Sequence, residues 1–365
     1  MKNSTRIGVA LGASALLAVG SIGAVSAQEE LTPIDLQLQW FAQAQFGGFY
    51  AAKDLGFYDA QGLDVTINET PSDQAPHVLG SQPDGPEFTI SWVPRALEVR
   101  DQGASDLVNI AQHFQRSGTL SVSWVDSGIT SPADFAGKKV GVWDFGNDFE
   151  VLAAGRAVGL EPNEDYERII QAFDMNAFLN REIDVAEAMI YNEYAQVLET
   201  VNPETGELYQ PEDMNVINYN DIGSSMLQDA VWARESWLAE EGNEDIATRF
   251  LAATFQGWQF CRDNPSDCVD IVTQNGSILG AGHQAWMMNE INALVWPSPD
   301  GIGALPQETW DRTIQIMLDS GIIASDPGEG VFRTDLADAA RAMVEGDLSG
   351  DGYEKAVIEV TPGGE

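Results

Sequence analysis

Apolar and polar positions alternate from Leu36 to Trp40, with Leu36, Leu38 and Trp40 separated by glutamines, and this period of two predicts a half-buried strand. The period then changes. Phe49, Ala52 and Leu55 share one helical face, behind a Gly47-Gly48 pair that lets the backbone turn and ahead of Gly56, which stops the helix. Gly62 precedes a second strand at 64–68, so the stretch 36–67 reads as β-α-β. Strands at 88–92 and 106–111, with helices at 44–55, 75–80 and 94–102, extend the pattern. A second run places strands at 121–125, 139–143, 168–172, 185–190 and 214–219, with the turn-rich NPETGELYQPED (202–213) as a surface loop. After about Met226 the period is helical, at 244–262, 266–274, 284–295, 307–319 and 334–344, and strands become scarce. Short strands separated by helices imply mostly parallel sheets.

A helical tail with no sheet of its own is expected to return over the first lobe. The expected organisation is therefore two α/β lobes joined by two crossovers, near 115–119 and 221–228: one lobe from 28–118 plus 226–365, the other from 119–225. Such an architecture holds small molecules in the cleft between lobes and closes by hinge motion. In parallel sheets the carboxyl ends of the strands face the ligand crevice. Four loops have that placement, and with the first helix turn they supply the candidate ligand residues Trp40, Gln45, Tyr50, Trp92, Arg95, Trp143, Asn147, Tyr191, Asn192 and Glu193. Tryptophan at three of the four loops suggests a flat ligand stacked between rings. Trp232, Trp237, Trp258 and Trp310 fall away from these loops and are read as core.

Glu193 at a strand end can accept two hydrogen bonds from an amino-substituted heterocycle, and Asn192 can donate and accept. The competing account is a helix-start glutamate serving the helix dipole. The loop WDFGNDFE feeds a helix beginning near Asn147, whose free N–H groups could hold an anion, but Asp144 and Asp148 disfavour phosphate, sulfonate or nitrate there. Arg95 reverses that judgement if it points inward; its alternative is an exposed first-turn position.

Three quoted stretches also resemble a known group. LQLQWFAQAQFGGFYAAKDLGFYDAQGLDVTI, SGITSPADFAGKKVGVW and DVAEAMIYNEYAQVLE are similar to segments of the solute-binding proteins of bacterial ABC importers for thiamine precursors, riboflavin, sulfonates and nitrate. The resemblance spans most of the chain beyond its first residues and implies the type II periplasmic-binding-protein fold, an ABC permease as partner and a monomeric receptor. It further implies that Glu193 reads a ligand amino group. A thiamine pyrimidine precursor is the leading ligand, with riboflavin next and an oxidised sulfur or nitrogen anion third.

The group also includes eukaryotic enzymes that build the thiamine pyrimidine with pyridoxal phosphate, and these need a lysine beside a histidine. Here Lys53, Lys138, Lys139 and Lys355 have no His77, His113 or His283 near them in sequence, and the enzymes' cysteine-rich run is absent. A receptor without cofactor is the expectation.

The first 27 residues lead one to expect an exported protein. Lys2 and Arg6, an apolar run to Val25 and the small residues Val25-Ser26-Ala27 form a secretory leader cut after Ala27, which leaves no membrane insertion. The 57 acidic against 18 basic residues, net charge −39, argue against nucleic acid. Cys261 and Cys268 could bridge in an oxidising compartment if the Asn264-Pro265 turn brings them together; an unbroken helix would hold them about 10 Å apart. No four-ligand zinc pattern is present. The loop from Asp347 imitates the start of a calcium site but has Ile358 where the closing glutamate belongs, so a polar turn before a final strand suffices.

Overall fold

Ten strands form two five-stranded sheets in the computed structural model, which describes Met1 and residues 30–70 and 75–365. The leader, including the cut after Ala27, lies outside the described residues. The first sheet has the order β2-β1-β3-β10-β4, from Leu63–Asn68, Thr32–Gln37, Phe88–Trp92, Asp229–Arg234 and Leu107–Ala111. The second has the order β7-β6-β8-β5-β9, from Glu167–Ile170, Lys139–Val142, Val185–Met189, Thr119–Trp124 and Met214–Asn218. The chain thus leaves the first sheet after Ala111 and returns to it at Asp229.

Each sheet carries one reversed strand. β10 runs antiparallel to β3 and β4, and β5 antiparallel to β8 and β9. These are the strands by which the chain enters the second sheet and re-enters the first. The sequence reading missed β10. DAVWAR is buried on both faces, so it shows no alternation, and its strand state comes from pairing with two distant partners.

The first strand also differs from its expected span, running Thr32–Gln37 and ending before Trp40. Its pairing with β2, from Thr32 opposite Leu63 to Gln37 opposite Asn68, sets both limits. Thr32 donates to Gly62 on the β2 side, so the Pro33 nitrogen faces the other side, where β3 pairs only with Leu36 and Gln37.

Gly47 and Gly48 act differently from the turn proposed for them. Both lie inside helix Gly47–Asp54, and their value is close approach: a Cβ on Gly48 would sit 2.3 Å from the Trp258 ring. Helix Asn243–Asp263 therefore packs directly on the helix that follows the first cleft loop. At its far end Cys261 and Cys268 are joined by a disulfide with their Cα atoms 5.1 Å apart. The helix ends at Asp263 and a new one starts at Pro265, so the chain breaks between the two cysteines as the bridge requires.

The tail covers more than the first lobe. Helices Asn243–Asp263, Pro265–Gln274, Ala281–Val295 and Thr334–Arg341 contribute to the core around β1, β3 and β4. Gln307–Asp319, however, packs on Val93–Asp101 and on Phe149–Ala157, and Ala281–Val295 also reaches helix Glu193–Leu198 of the second lobe. No strand follows Arg234 among the described residues. The expected final strand is instead an irregular strap whose Ala356 exchanges hydrogen bonds with the Asn289 side chain at 2.9 Å.

Glu150 fastens the two crossovers together. Its carboxylate accepts from the Met226 N–H at 2.6 Å, the Ser117 hydroxyl at 2.9 Å and the Gln228 amide at 3.2 Å. Burial pushes this carboxyl up to about 7, against the lowering effect of those donors.

Candidate ligand-binding site

A cavity of about 470 Å³ is lined by the loop tips of both sheets. Its size lies in the range that holds small ligands and cofactors. From the first lobe come Trp40, Gln45, Trp92 and Arg95; from the second come Trp143, Asn147, Tyr191, Asn192 and Glu193. The carboxyl-end placement converges them: Trp92 ends β3, Trp143 follows β6, and Tyr191 to Glu193 follow β8.

Tyr50 is the exception. It does not line the cavity but is buried in the first-lobe core. It sits beyond the short 3-10 turn Ala44–Phe46 and inside the helix that follows, where burial first, then Glu69 and Asp54, raise its hydroxyl pKa. The chain has by then turned back into the protein, so proximity in sequence to Trp40 does not carry Tyr50 to the cleft.

The rings form a connected wall. Phe173 packs on Trp40 with centroids 4.6 Å apart and stacks on Trp143 at 5.9 Å and 19°. Phe41 meets Trp40 edge-on at 5.2 Å. Phe173 is 49% exposed and Phe145 74%, both at the cavity. Phe145 also has φ of +62°, a left-handed conformation that is costly for an aromatic residue and tends to occur at functional sites. Neither phenylalanine was among the sequence candidates, although Phe145 lies on the loop between Trp143 and Asn147 and Phe173 follows the strand expected at 168–172. Trp143 is anchored by its backbone N–H to the Glu187 carboxylate at 2.8 Å and by its indole N–H to the Ala172 carbonyl at 3.3 Å.

The second-lobe polar edge is a hydrogen-bonded chain. Glu193 begins helix Glu193–Leu198, and its carboxylate accepts from the Met189 N–H at 3.0 Å and from the Asn192 amide at 2.8 Å. The Asn192 oxygen in turn lies 3.0 Å from His283 Nε2, whose Nδ1 is 2.8 Å from Glu199. Burial pushes the Glu193 carboxyl up to about 7; the backbone donors and His283 pull the other way. Each of its oxygens accepts one bond, leaving lone pairs for a donor in the cavity.

The first-lobe edge rests on Asp229, which sequence reading passed over because β10 was unrecognised. In β10 it stands opposite Trp92 and accepts from the side-chain amides of Gln39 and Gln45, the latter at 2.9 Å. Burial pushes its carboxyl up to about 7, opposed by these donors. Gln45 donates to Asp229 and accepts from Gln43 at 2.6 Å, so its amide is held in one orientation. Gln39, Gln43 and Met189 line the cavity as well. No lysine or histidine is among its described lining residues.

The family described as NMT1/THI5 like matches residues 43–268. The riboflavin-binding protein RibY of Chloroflexus aurantiacus is 22% identical over 317 residues, spanning 83% of this chain and 85% of its own. The formylaminopyrimidine-binding protein of Halalkalibacterium halodurans is 22% identical over 255 residues, spanning 68% and 72%. Among solved structures, the periplasmic aliphatic sulphonate binding protein SsuA from Escherichia coli superposes with a TM-score of 0.56 at 15% identity, covering 81% of this chain and 89% of that one. The architecture is that of periplasmic binding proteins, as the sequence led one to expect.

Proposed function

This chain belongs to the NMT1/THI5-like family, and we propose that it is the extracytoplasmic solute receptor of an ABC importer, binding a planar nitrogen heterocycle. The observation that carries the reading is the cavity between the sheets, where Trp40, Trp92 and Trp143 meet a buried carboxyl, Glu193. Indole faces suit a flat ring, and a carboxyl with spare lone pairs suits an amino substituent. A formylated aminopyrimidine of the kind that leads to thiamine fits both features. Riboflavin fits the slot and is the second ligand to test, given the relative that carries it in its name.

Capture and release would proceed by hinge motion between lobe 28–118 plus 226–365 and lobe 119–225, with Glu150 and the Ser117 and Met226 segments as the pivot. Export with cleavage after Ala27 belongs to this reading, as does docking to a permease. No helix among the described residues is long and apolar enough to cross a membrane. Binding without catalysis belongs to this reading, in keeping with the two curated relatives named above, both binding proteins by name.

Titration with the formylated aminopyrimidine and with riboflavin, followed by tryptophan fluorescence, tests the proposal. Quenching by at least one is expected. Glu193→Gln should weaken the aminopyrimidine about tenfold or more, as loss of a charge-assisted bond does, and riboflavin far less. Equal loss for both would make Glu193 a structural residue.

A further inference from the structure

Arg95 is the feature of the cavity that a neutral ring compound leaves unexplained. It sits on helix Val93–Asp101, is 7% exposed and lines the cavity. A guanidinium has five N–H donors. Here one is engaged, by the Asn147 side-chain oxygen at 3.2 Å across the cleft, and the buried Nε has no partner. Among the described residues Arg95 forms no ion pair.

The buried Arg234 and the half-buried Arg116 show how this fold satisfies guanidinium groups away from the cavity. Arg234, equally buried, donates to the Pro86 carbonyl at 2.7 Å and the Gly80 carbonyl at 3.1 Å. Arg116 donates to four carbonyls between Ala293 and Pro297. Arg95 has no such set. The nearby carboxyls do not replace it: Asp229 is taken up by Gln39 and Gln45, and burial favours its neutral form, while Glu98 is likewise raised by burial. A desolvated cation without its counter-charge is costly, and an oxyanion from the ligand would remove that cost.

We propose that Arg95 holds an oxyanion carried by the ligand, a carboxylate, phosphate monoester or sulfonate, through its guanidinium. This deepens the receptor reading and rests on it: the ligand has a flat ring for the indoles, a donor for Glu193 from the second lobe and an anion for Arg95 from the first. Arg95 and Glu193 then engage opposite features of one molecule, so closure reads both. The paired N–H geometry of a guanidinium matches two oxygens of such a group, which an amide or an ammonium does not reproduce.

The test uses matched pairs on the mature chain: riboflavin against its 5′-phosphate, and 4-amino-5-hydroxymethyl-2-methylpyrimidine against its phosphate monoester, with methanesulfonate and inorganic phosphate as ring-free probes. In at least one pair the phosphate form should bind about tenfold tighter or more, and inorganic phosphate should compete with that form more than with its parent. Arg95→Gln should abolish the advantage while melting as a folded protein. Should that variant fail to fold, Arg95→Lys, which keeps the charge without the paired N–H geometry, should still lose most of the advantage, and an undiminished advantage would overturn the assignment. Parents binding as tightly as their phosphates would overturn the Arg95 assignment and leave the ring reading standing. Ring-free anions binding through Arg95 while no ring compound binds would keep the assignment and overturn the ring reading. No binding by any probe would overturn both.

Discussion

Replacing Glu150 by glutamine should change the pH dependence of stability in a calculable way. The carboxyl value in the unfolded chain is 4.5, and burial pushes it up to about 7 in the folded protein. The folded state therefore holds the proton more tightly than the unfolded chain. Glu150 contributes most favourably below about pH 4.5; that contribution is lost as pH rises to about 7 and is constant above. At about 1.4 kcal/mol per pH unit the whole loss is roughly 3 kcal/mol, and about 2.5 kcal/mol of it falls between pH 5 and 8. The amide cannot ionise, so it escapes this loss. It does present a donor to Ser117 and Gln228, which themselves donate to the carboxylate, but that cost is the same at both pH values. Urea unfolding of both proteins at pH 5 and pH 8, followed by tryptophan fluorescence, isolates the ionisation by double difference. The variant should gain about 2.5 kcal/mol relative to the parent on going to pH 8. A difference between the two proteins that is the same at both pH values would refute the buried-charge account of the hinge.

Gly48→Ala should destabilise by about 1–3 kcal/mol, because the new methyl would meet the Trp258 ring at 2.3 Å in a packed core; denaturation at wild-type urea concentrations would contradict this. Replacing Cys261 and Cys268 together by serine should cost about 2 kcal/mol, the loop-entropy value for a bridge spanning seven positions, and an unchanged urea midpoint would count against it. Affinity for the formylated aminopyrimidine should fall as pH drops below about 7, since protonation of Glu193 removes the negative charge that strengthens the bond from its amino group; calorimetric titration from pH 5 to 8 would read this, and a flat profile would sink it.

The cleft was legible to the extent that it depends on local pattern. Trp92, Trp143 and Glu193 could be assigned because each sits at the end of a buried apolar run, and the carboxyl ends of such strands converge whatever the loops contain. Tyr50 was misplaced by the same reasoning applied one helix turn too far. Phe145 and Phe173 were not singled out although the strand-end rule reaches both: Phe145 lies between Trp143 and Asn147, and Phe173 follows the strand expected at 168–172.

What the chain determined by itself, through apolar period, glycine stops and strand-end chemistry, was the alternation of short strands with helices, the division into two runs and the loop set from which the cleft is built. Tertiary structure alone decided that Asp229–Arg234 is a strand, since six residues buried on both faces have no alternation to display until β3 and β4 pair with them. That pairing brought Asp229 behind Gln39 and Gln45. It also fell to tertiary structure to turn Arg95 inward, because a side chain's direction at a helix start follows from the packing of helix on sheet, and no local sequence period encodes that.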